Sequence, residues 1–405
     1  MSRTALVIGG GIAGPATAMA LQKAGIDAVV YEAHAEGADG AGVFLTLGSN
    51  GIDALTAIGA DQQITHTGIA TPQITLYSSK GKRLGASRIS SAAGTPSRTI
   101  RRAGLYRALY QEAVRRDIAV HHGKRLVSAE DTGEAVRATF ADGTTATADL
   151  LIGCDGVHSA VREAVDPKAP APSYAGLISL GGYTRDVTVD ADPGSYTMIF
   201  GRRAFFGYAV APDGEVWWFA NLPRADEPAR GEVERIGSEK WRRTLVEAFT
   251  DDAGPATRII EATSSDNIMK ASPVHLLRRL PAWHRGRMIV LGDAAHAPSP
   301  SSGQGASLAI EDAVTLARCL RDTPSHAEAF TTFVDLRRPR VEKIIKQAAR
   351  INNSKAAGPL DRLFLDNVMP LILKAAASSR YTEEVYGHHL DWDAVVWPAG
   401  VAPSR

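Results

Sequence analysis

The segment TALVIGGGIAGPATAMALQKAGIDAVVYE, residues 4–32, decides the fold. Thr4 to Ile8 is a short apolar run of the kind expected for a parallel strand covered on both faces. Gly9-Gly10-Gly11-Ile12-Ala13-Gly14 follows, then a helix through Leu21 to Ala24, then a second strand, Asp27 to Tyr31, closed by Glu32. GxGxxG means little alone. Here a strand precedes it, a helix follows, and an acid stands about 20 residues on, which is the context of a dinucleotide-binding turn. Gly9 permits the tight turn, Gly11 lets backbone approach a pyrophosphate, and Gly14 lets helix pack on strand. Ile12 and Ala13, at the helix start, complete the set, and Glu32 is placed for the adenosine ribose hydroxyls. The pattern does not separate FAD from NAD.

A second stretch, Met288 to Leu320, carries the same logic. It reads as a buried strand, an acidic exit at Gly292-Asp293, a Pro/Ser/Gly loop and a helix. Ala306, Ala309, Ala313, Leu316 and Leu320 fall on one helical face, with Glu311 and Asp312 on the other. Pro300 and Ser301-Ser302-Gly303-Gln304-Gly305 lead into that helix's first turn, where unpaired N–H groups and the positive dipole end favour an anion. Asp293, leaving a strand end, suits a polyol hydroxyl. A loop that grips hydroxyls at one end and an anion at the other fits a flavin, although an ordinary strand–loop–helix connection has the same outline.

Bulk properties narrow the class. The chain has 405 residues, 44% of them hydrophobic, enough for two domains with buried cores. Lys plus Arg (45) nearly balances Asp plus Glu (44), so no charge excess points to nucleic acid. No apolar run is long enough to span a bilayer. The start runs directly into a glycine turn and carries no secretory pattern, so a cytoplasmic protein is expected. Cys154 and Cys319 form no CxxC pair and are expected as buried thiols. No metal-ligand spacing is present.

Between these stretches, Gly37 to Gly51 is glycine-rich and a helix is expected from Ile52 to Ile58. Gln73 to Tyr77 and Arg83 to Ala86 read as a hairpin outside the first domain. Ile100 to Arg116 reads as a helix whose start carries Arg102, placed for a cofactor or simply for solvent. Short strands from Val120 to Ala148 form a meander containing Val127, and Asp149 to Ile152 ends in Cys154-Asp155-Gly156, again an acid and a glycine at a strand end. His158 reads as a surface histidine. From Ile178 to Leu222 the pattern alternates as in antiparallel strands, rich in aromatic residues, of which Met198, Phe200, Phe206 and Trp218, with Pro300, are the candidate lining of an apolar pocket. Tyr183, Tyr208 and His296 suit either proton relays or structural roles, with the structural reading preferred, and no catalytic side chain is assigned. The basic helix Ala327 to Ile351 reads as a solvated face, kinked at Pro339, and Leu360 to Ala377 as an apolar helix.

Together three motifs resemble the single-component FAD-dependent aromatic hydroxylases of the para-hydroxybenzoate hydroxylase type. They are Gly9 to Gly14 with Glu32; Cys154-Asp155-Gly156 with Ser159 and Arg162; and Gly292-Asp293 with Ala294-Ala295-His296, Pro300 and Gly303-Gln304-Gly305. The resemblance implies an α/β fold: a Rossmann-like, glutathione-reductase-like FAD domain (1–72, 98–175, 273–350) interrupted by an antiparallel substrate sheet (73–97, 176–272), with a C-terminal helical segment (351–405) bridging them. It implies that Asp293 meets the ribityl chain and that Pro300 to Ala306 lies along the flavin. Arg102 and Val127 are implied cofactor contacts, and Asp155 an acid near the pyrophosphate. NADPH or NADH is the implied transient reductant. O2 would then form a C4a-hydroperoxide that passes one oxygen atom to an aromatic, phenol-like small molecule. The alternatives are a non-oxygenating flavin reductase and a catalytically silent flavin-fold protein that shelters an intermediate. A monomer or homodimer is expected.

Overall fold

The computed structural model describes residues 3–35, 42–192, 194–353 and 380–397. The helix expected over Leu360 to Ala377, and residues 37–41 of the glycine-rich stretch, lie outside them.

The first strand, Arg3–Ile8, sits inside a six-stranded sheet. It pairs in parallel with Ile26–Tyr31 on one side and Leu150–Gly153 on the other, and the latter pairs in parallel with Met288–Val290. Both faces are covered, so past Arg3, Thr4 and Asp27 the strands are largely apolar rather than alternating: Val7, Val30, Leu151, Ile152, Ile289 and Val290 have no exposed surface. Each such side chain contributes about 1.5–3 kcal/mol of burial free energy. The ends of three of these strands present Gly9, Cys154-Asp155 and Gly292-Asp293, so strand order alone gathers the three motifs at one edge. A meander of Leu126–Asp131, Val136–Phe140 and Thr145–Ala148 covers one flank.

A second sheet has seven strands, in the spatial order Ser272–Leu276, Ser173–Thr184, Val216–Pro223, Phe205–Val210, Tyr196–Phe200, Gln73–Ser78 and Arg83–Arg88. The early hairpin thus joins strands a hundred residues later. The sheet is not wholly antiparallel, because Tyr196–Phe200 runs parallel to Gln73–Ser78. Helices Ser238–Phe249 and Ala256–Glu261 cover one face, and the other packs against Phe44 and Ile69 of a small three-stranded sheet.

Two elements differ from the sequence reading. Arg98–Arg101 is a strand and the helix starts at Arg102, so Arg102 stands where strand turns into helix. Phe44–Leu47 is also a strand, pairing with Arg98–Arg101, and the following helix spans Ser49–Ala57.

Candidate active site

The glycine turn is built by close contact. A Cβ on Gly14 would stand 1.9 Å from the Gly9 carbonyl oxygen, and one on Gly9 would stand 2.4 Å from the Cys154 carbonyl oxygen. Gly9 has φ +104°, a conformation L side chains rarely adopt. A Cβ on Gly11 would meet nothing within 4 Å, so the turn is open on the one side where a phosphate would approach. The helix Ala13–Lys23 has no side-chain cap, leaving its first N–H groups free for an anion in that opening. Glu32 is buried at the neighbouring strand end, its carboxylate accepting from Gly10 N at 2.6 Å and His34 N at 2.8 Å. Lys124 N donates to Glu32 O at 2.8 Å, which brings the meander alongside, and Val127 lies three residues on with its side chain exposed.

Asp155 and Asp293 occupy two adjacent strand ends but in different states. Asp155 accepts from Ser159 Oγ, from Ala160 N at 2.8 Å and from Val161 N at 3.1 Å, so it organises the start of the helix Ala160–Val165. Burial raises its pKa in spite of these donors. Arg162, 3% exposed, reaches across to donate to the Ala294 carbonyl. Asp293 makes no hydrogen bond among the described residues. Its side chain faces open space yet is surrounded by protein, as at the bottom of a cleft. Burial pushes its carboxyl upward, opposed by the charges of His296 and Arg102. Arg102 is exposed and packs over Gly42, where a Cβ would stand 3.1 Å from Arg102 Cδ. Its positive charge favours the ionised form of Asp293.

The loop after Asp293 runs through a turn at Pro300–Ser302 into the helix Gly305–Asp322, which also lacks a side-chain cap. Gly303, at φ +60°, has open space on its Cβ side, and Gly305 lies over Asp293. Gln304 is 2% exposed; its Oε1 accepts from Asn50 Nδ2 at 3.1 Å. Ser307 Oγ accepts from Gly48 N at 2.9 Å, tying the loop to the Phe44–Leu47 strand.

Behind this loop the structure corrects the sequence reading. The helix Gly305–Asp322 is packed by Ala13–Lys23, Ser49–Ala57 and His326–Asn353, so it has no solvated side, and Glu311 and Asp312 are fully buried. Their partners come from the helix read as a solvated basic face. Arg337, 2% exposed, bonds Glu311 Oε2 and Asp312 Oδ1, each at 2.6 Å. Arg340 bonds the other Glu311 oxygen at 2.7 Å. Asp312 Oδ2 also accepts from Gly292 N at 3.0 Å and meets His296 Nε2 at 2.6 Å. Burial alone would raise both carboxyls, but the two arginines hold Glu311 well below its ordinary range. His296 and Arg337 do the same for Asp312. His296 is thus locked to the network as a structural group. Arg340 also takes the backbone carbonyls of Glu384 and Val385, joining the C-terminal helix Arg380–Tyr386 to it.

The sheet in front of the loop has two different faces. Phe206 and Trp218 point away from the cleft. They stack on each other at 5.7 Å, pack on Phe249, and have no exposed surface. They are core under the helices, not pocket lining, and this corrects their assignment. Met198 and Phe200 lie on the opposite face with Tyr196, Trp217 and Phe219, beside Phe44. The Trp217-Trp218-Phe219 run alternates with period two, so the sequence signalled two faces but not which one looks toward the cleft. Tyr386 was not foreseen. It packs against both the first-sheet core and this aromatic face, beside Gln304, and burial raises its phenol pKa. Both cysteines are buried, and burial pushes each thiol up to about 12. His158 is exposed and packs edge-on to His275 at 4.9 Å.

An open glycine turn, an uncapped helix start, an acid without a hydrogen-bond partner among the described residues and a second uncapped helix are the features of a flavoprotein's FAD site. A family model described as an FAD binding domain matches residues 2–348. The chain belongs to that family, the FAD-dependent flavoprotein monooxygenases of the aromatic hydroxylase type. It is 30% identical over 380 residues to the aurachin C monooxygenase/isomerase of Stigmatella aurantiaca, covering 93% of this chain and 95% of that protein. It is 31% identical to the 6-hydroxynicotinate 3-monooxygenase of Pseudomonas fluorescens, covering 84% of this chain and 88% of that one. Among solved structures, Klebsiella pneumoniae HpxO complexed with FAD and uric acid superposes with a TM-score of 0.80 at 26% identity, over 95% of this chain and 96% of the other. Among the described residues no helix is long and apolar enough to cross a membrane.

Proposed function

We propose that this enzyme uses NADPH or NADH to reduce its FAD and inserts one atom of O2 into an aromatic ring held between the Met198–Phe200–Phe219 face and the Pro300 to Ala306 loop. The observation that supports this reading is the apolar, aromatic face packed on Phe44, next to the Gly42–Val43 backbone against which Arg102 lies. Bound FAD supplies the electrons and the oxygen activation. The protein supplies the surroundings. Glu32 and the open turn at Gly11 hold the adenosine end, while Asp293 and Arg102 line the cleft for the ribityl chain and ring. The N–H groups at the start of the helix Gly305–Asp322 stabilise negative charge on the reduced ring. Phe44, Met198, Phe200 and Phe219 exclude water, which protects a reactive oxygen donor from wasteful breakdown. An electron-rich ring needs no strong acid or base from the protein, which fits the uncharged character of this face.

The test is to supply NAD(P)H and 18O2 with a panel of phenols and nitrogen heterocycles, and to weigh the products. A product heavier by one labelled oxygen, with reductant consumption accelerated by that ring, is expected. Reductant consumption that no ring accelerates, with peroxide as the sole product, overturns the proposal.

A further inference from the structure

On the strand Val216–Pro223, Trp217, Phe219 and Asn221 alternate onto the cleft-facing side. Asn221 stands directly opposite Ser179 on one neighbouring strand and Phe205 on the other. It is 6% exposed, its Oδ1 is buried without a partner, and its carboxamide makes no hydrogen bond among the described residues. A buried amide on an aromatic surface is held there against its desolvation unless something bonds it. Around it, the cleft-facing positions of the four central strands hold Ser179, Tyr196, Met198, Phe200 and Phe219 and no Lys or Arg. Of the cations beside this face, Arg101 stacks on Tyr183 at 4.3 Å and Trp217 at 5.3 Å and pairs with Glu215, while Arg102 is exposed beside Gly42.

We infer that Asn221 is a specificity-determining residue that accepts a hydrogen bond from a hydroxyl or ring N–H of an aromatic substrate. This rests on the proposed use of the aromatic face as the substrate side. An unpaired acceptor selects a donor on the ligand.

The test uses the FAD-loaded enzyme with two probes of one shape: 2-naphthol and 2-methoxynaphthalene. Binding is read from perturbation of the flavin absorbance, and turnover from NAD(P)H oxidation and oxygenated product. The naphthol is expected to bind about tenfold more tightly than its methyl ether. N221L should erase the preference over the ether while retaining FAD. N221L should also leave the ligand-free melting temperature unchanged or raised, because it removes an unpaired polar group; a purely structural amide would lower it. The inference is overturned if N221L keeps the preference, if the ether binds as tightly as the naphthol to the unaltered enzyme, or if neither probe perturbs the flavin. Oxygenation without Asn221-dependent preference sinks this inference alone. Asn221-dependent binding with no oxygen transferred sinks the proposed reaction instead.

Discussion

The two sides of the cofactor loop are built on opposite principles. Behind it, Glu311, Asp312, Arg337, Arg340 and His296 form a fully buried ionic net in which every carboxylate oxygen has a partner. In front, the sheet face is aromatic, with polar contacts at the margin where Tyr183, Trp217, Arg101 and Glu215 meet. The net fixes position, because buried charges tolerate little displacement before losing their compensation. The aromatic face fixes nothing so sharply; it keeps water away and leaves room for a ring. A loop clamped from the rear and dry at the front can hold a reactive cofactor steady while different rings are presented to it.

The sharpest way to break the arrangement is at its shared origin. Gly14→Ala places a methyl group against the Gly9 carbonyl, backbone on backbone. Neither partner can yield without opening the turn, so the purified protein is expected to carry no flavin absorbance and to melt earlier. Next in size, Arg337→Met leaves Glu311 and Asp312 short of a partner in the interior. It should cost about 3–5 kcal/mol in chemical denaturation, and an unchanged midpoint would remove the idea that the net clamps the loop.

The same net sets a pH dependence. The folded pKa values of Glu311 and Asp312 lie below their ordinary 4.5 and 3.8. Their contribution is therefore complete above those ordinary values and is lost as pH falls below them toward the folded values. Asp155 and Asp293, raised by burial, act in the opposite sense and offset part of it. Acid titration of stability should be steep below pH 4.5 in the unaltered protein and shallower in Arg337→Met; parallel curves would contradict the assignment. The smallest effects separate the two sheet faces. Phe206→Leu should cost about 1–2 kcal/mol of stability, with little change in KM for a ring substrate. Phe200→Leu should leave the melting temperature nearly unchanged and shift KM. The reverse pattern would mean the faces have been exchanged.

What could be read from the chain beforehand followed from local rules. Gly9, Gly14 and Glu32 are dictated by turn geometry within one strand–helix–strand unit, and Asp293 by a strand end, so spacing alone located them. Phe206 and Trp218 were misassigned because both faces of their sheet are covered, and alternation identifies two faces without saying which meets the cofactor. Arg337 and Arg340 looked like solvated charges because their acids lie 26 and 29 residues away on another helix. Only packing revealed that the intervening helix has no outside. Asn221 carried no sequence signal at all; it becomes conspicuous once its partners are counted.

The link between Arg340 and the carbonyls of Glu384 and Val385 also constrains the order of assembly. The guanidinium that grips Glu311 completes its own bonding only with backbone made some 44 residues later. During synthesis, the nucleotide-binding turn can form while the chain is still emerging. The rear clamp is whole only once the backbone at Glu384 and Val385 has folded back onto Arg340.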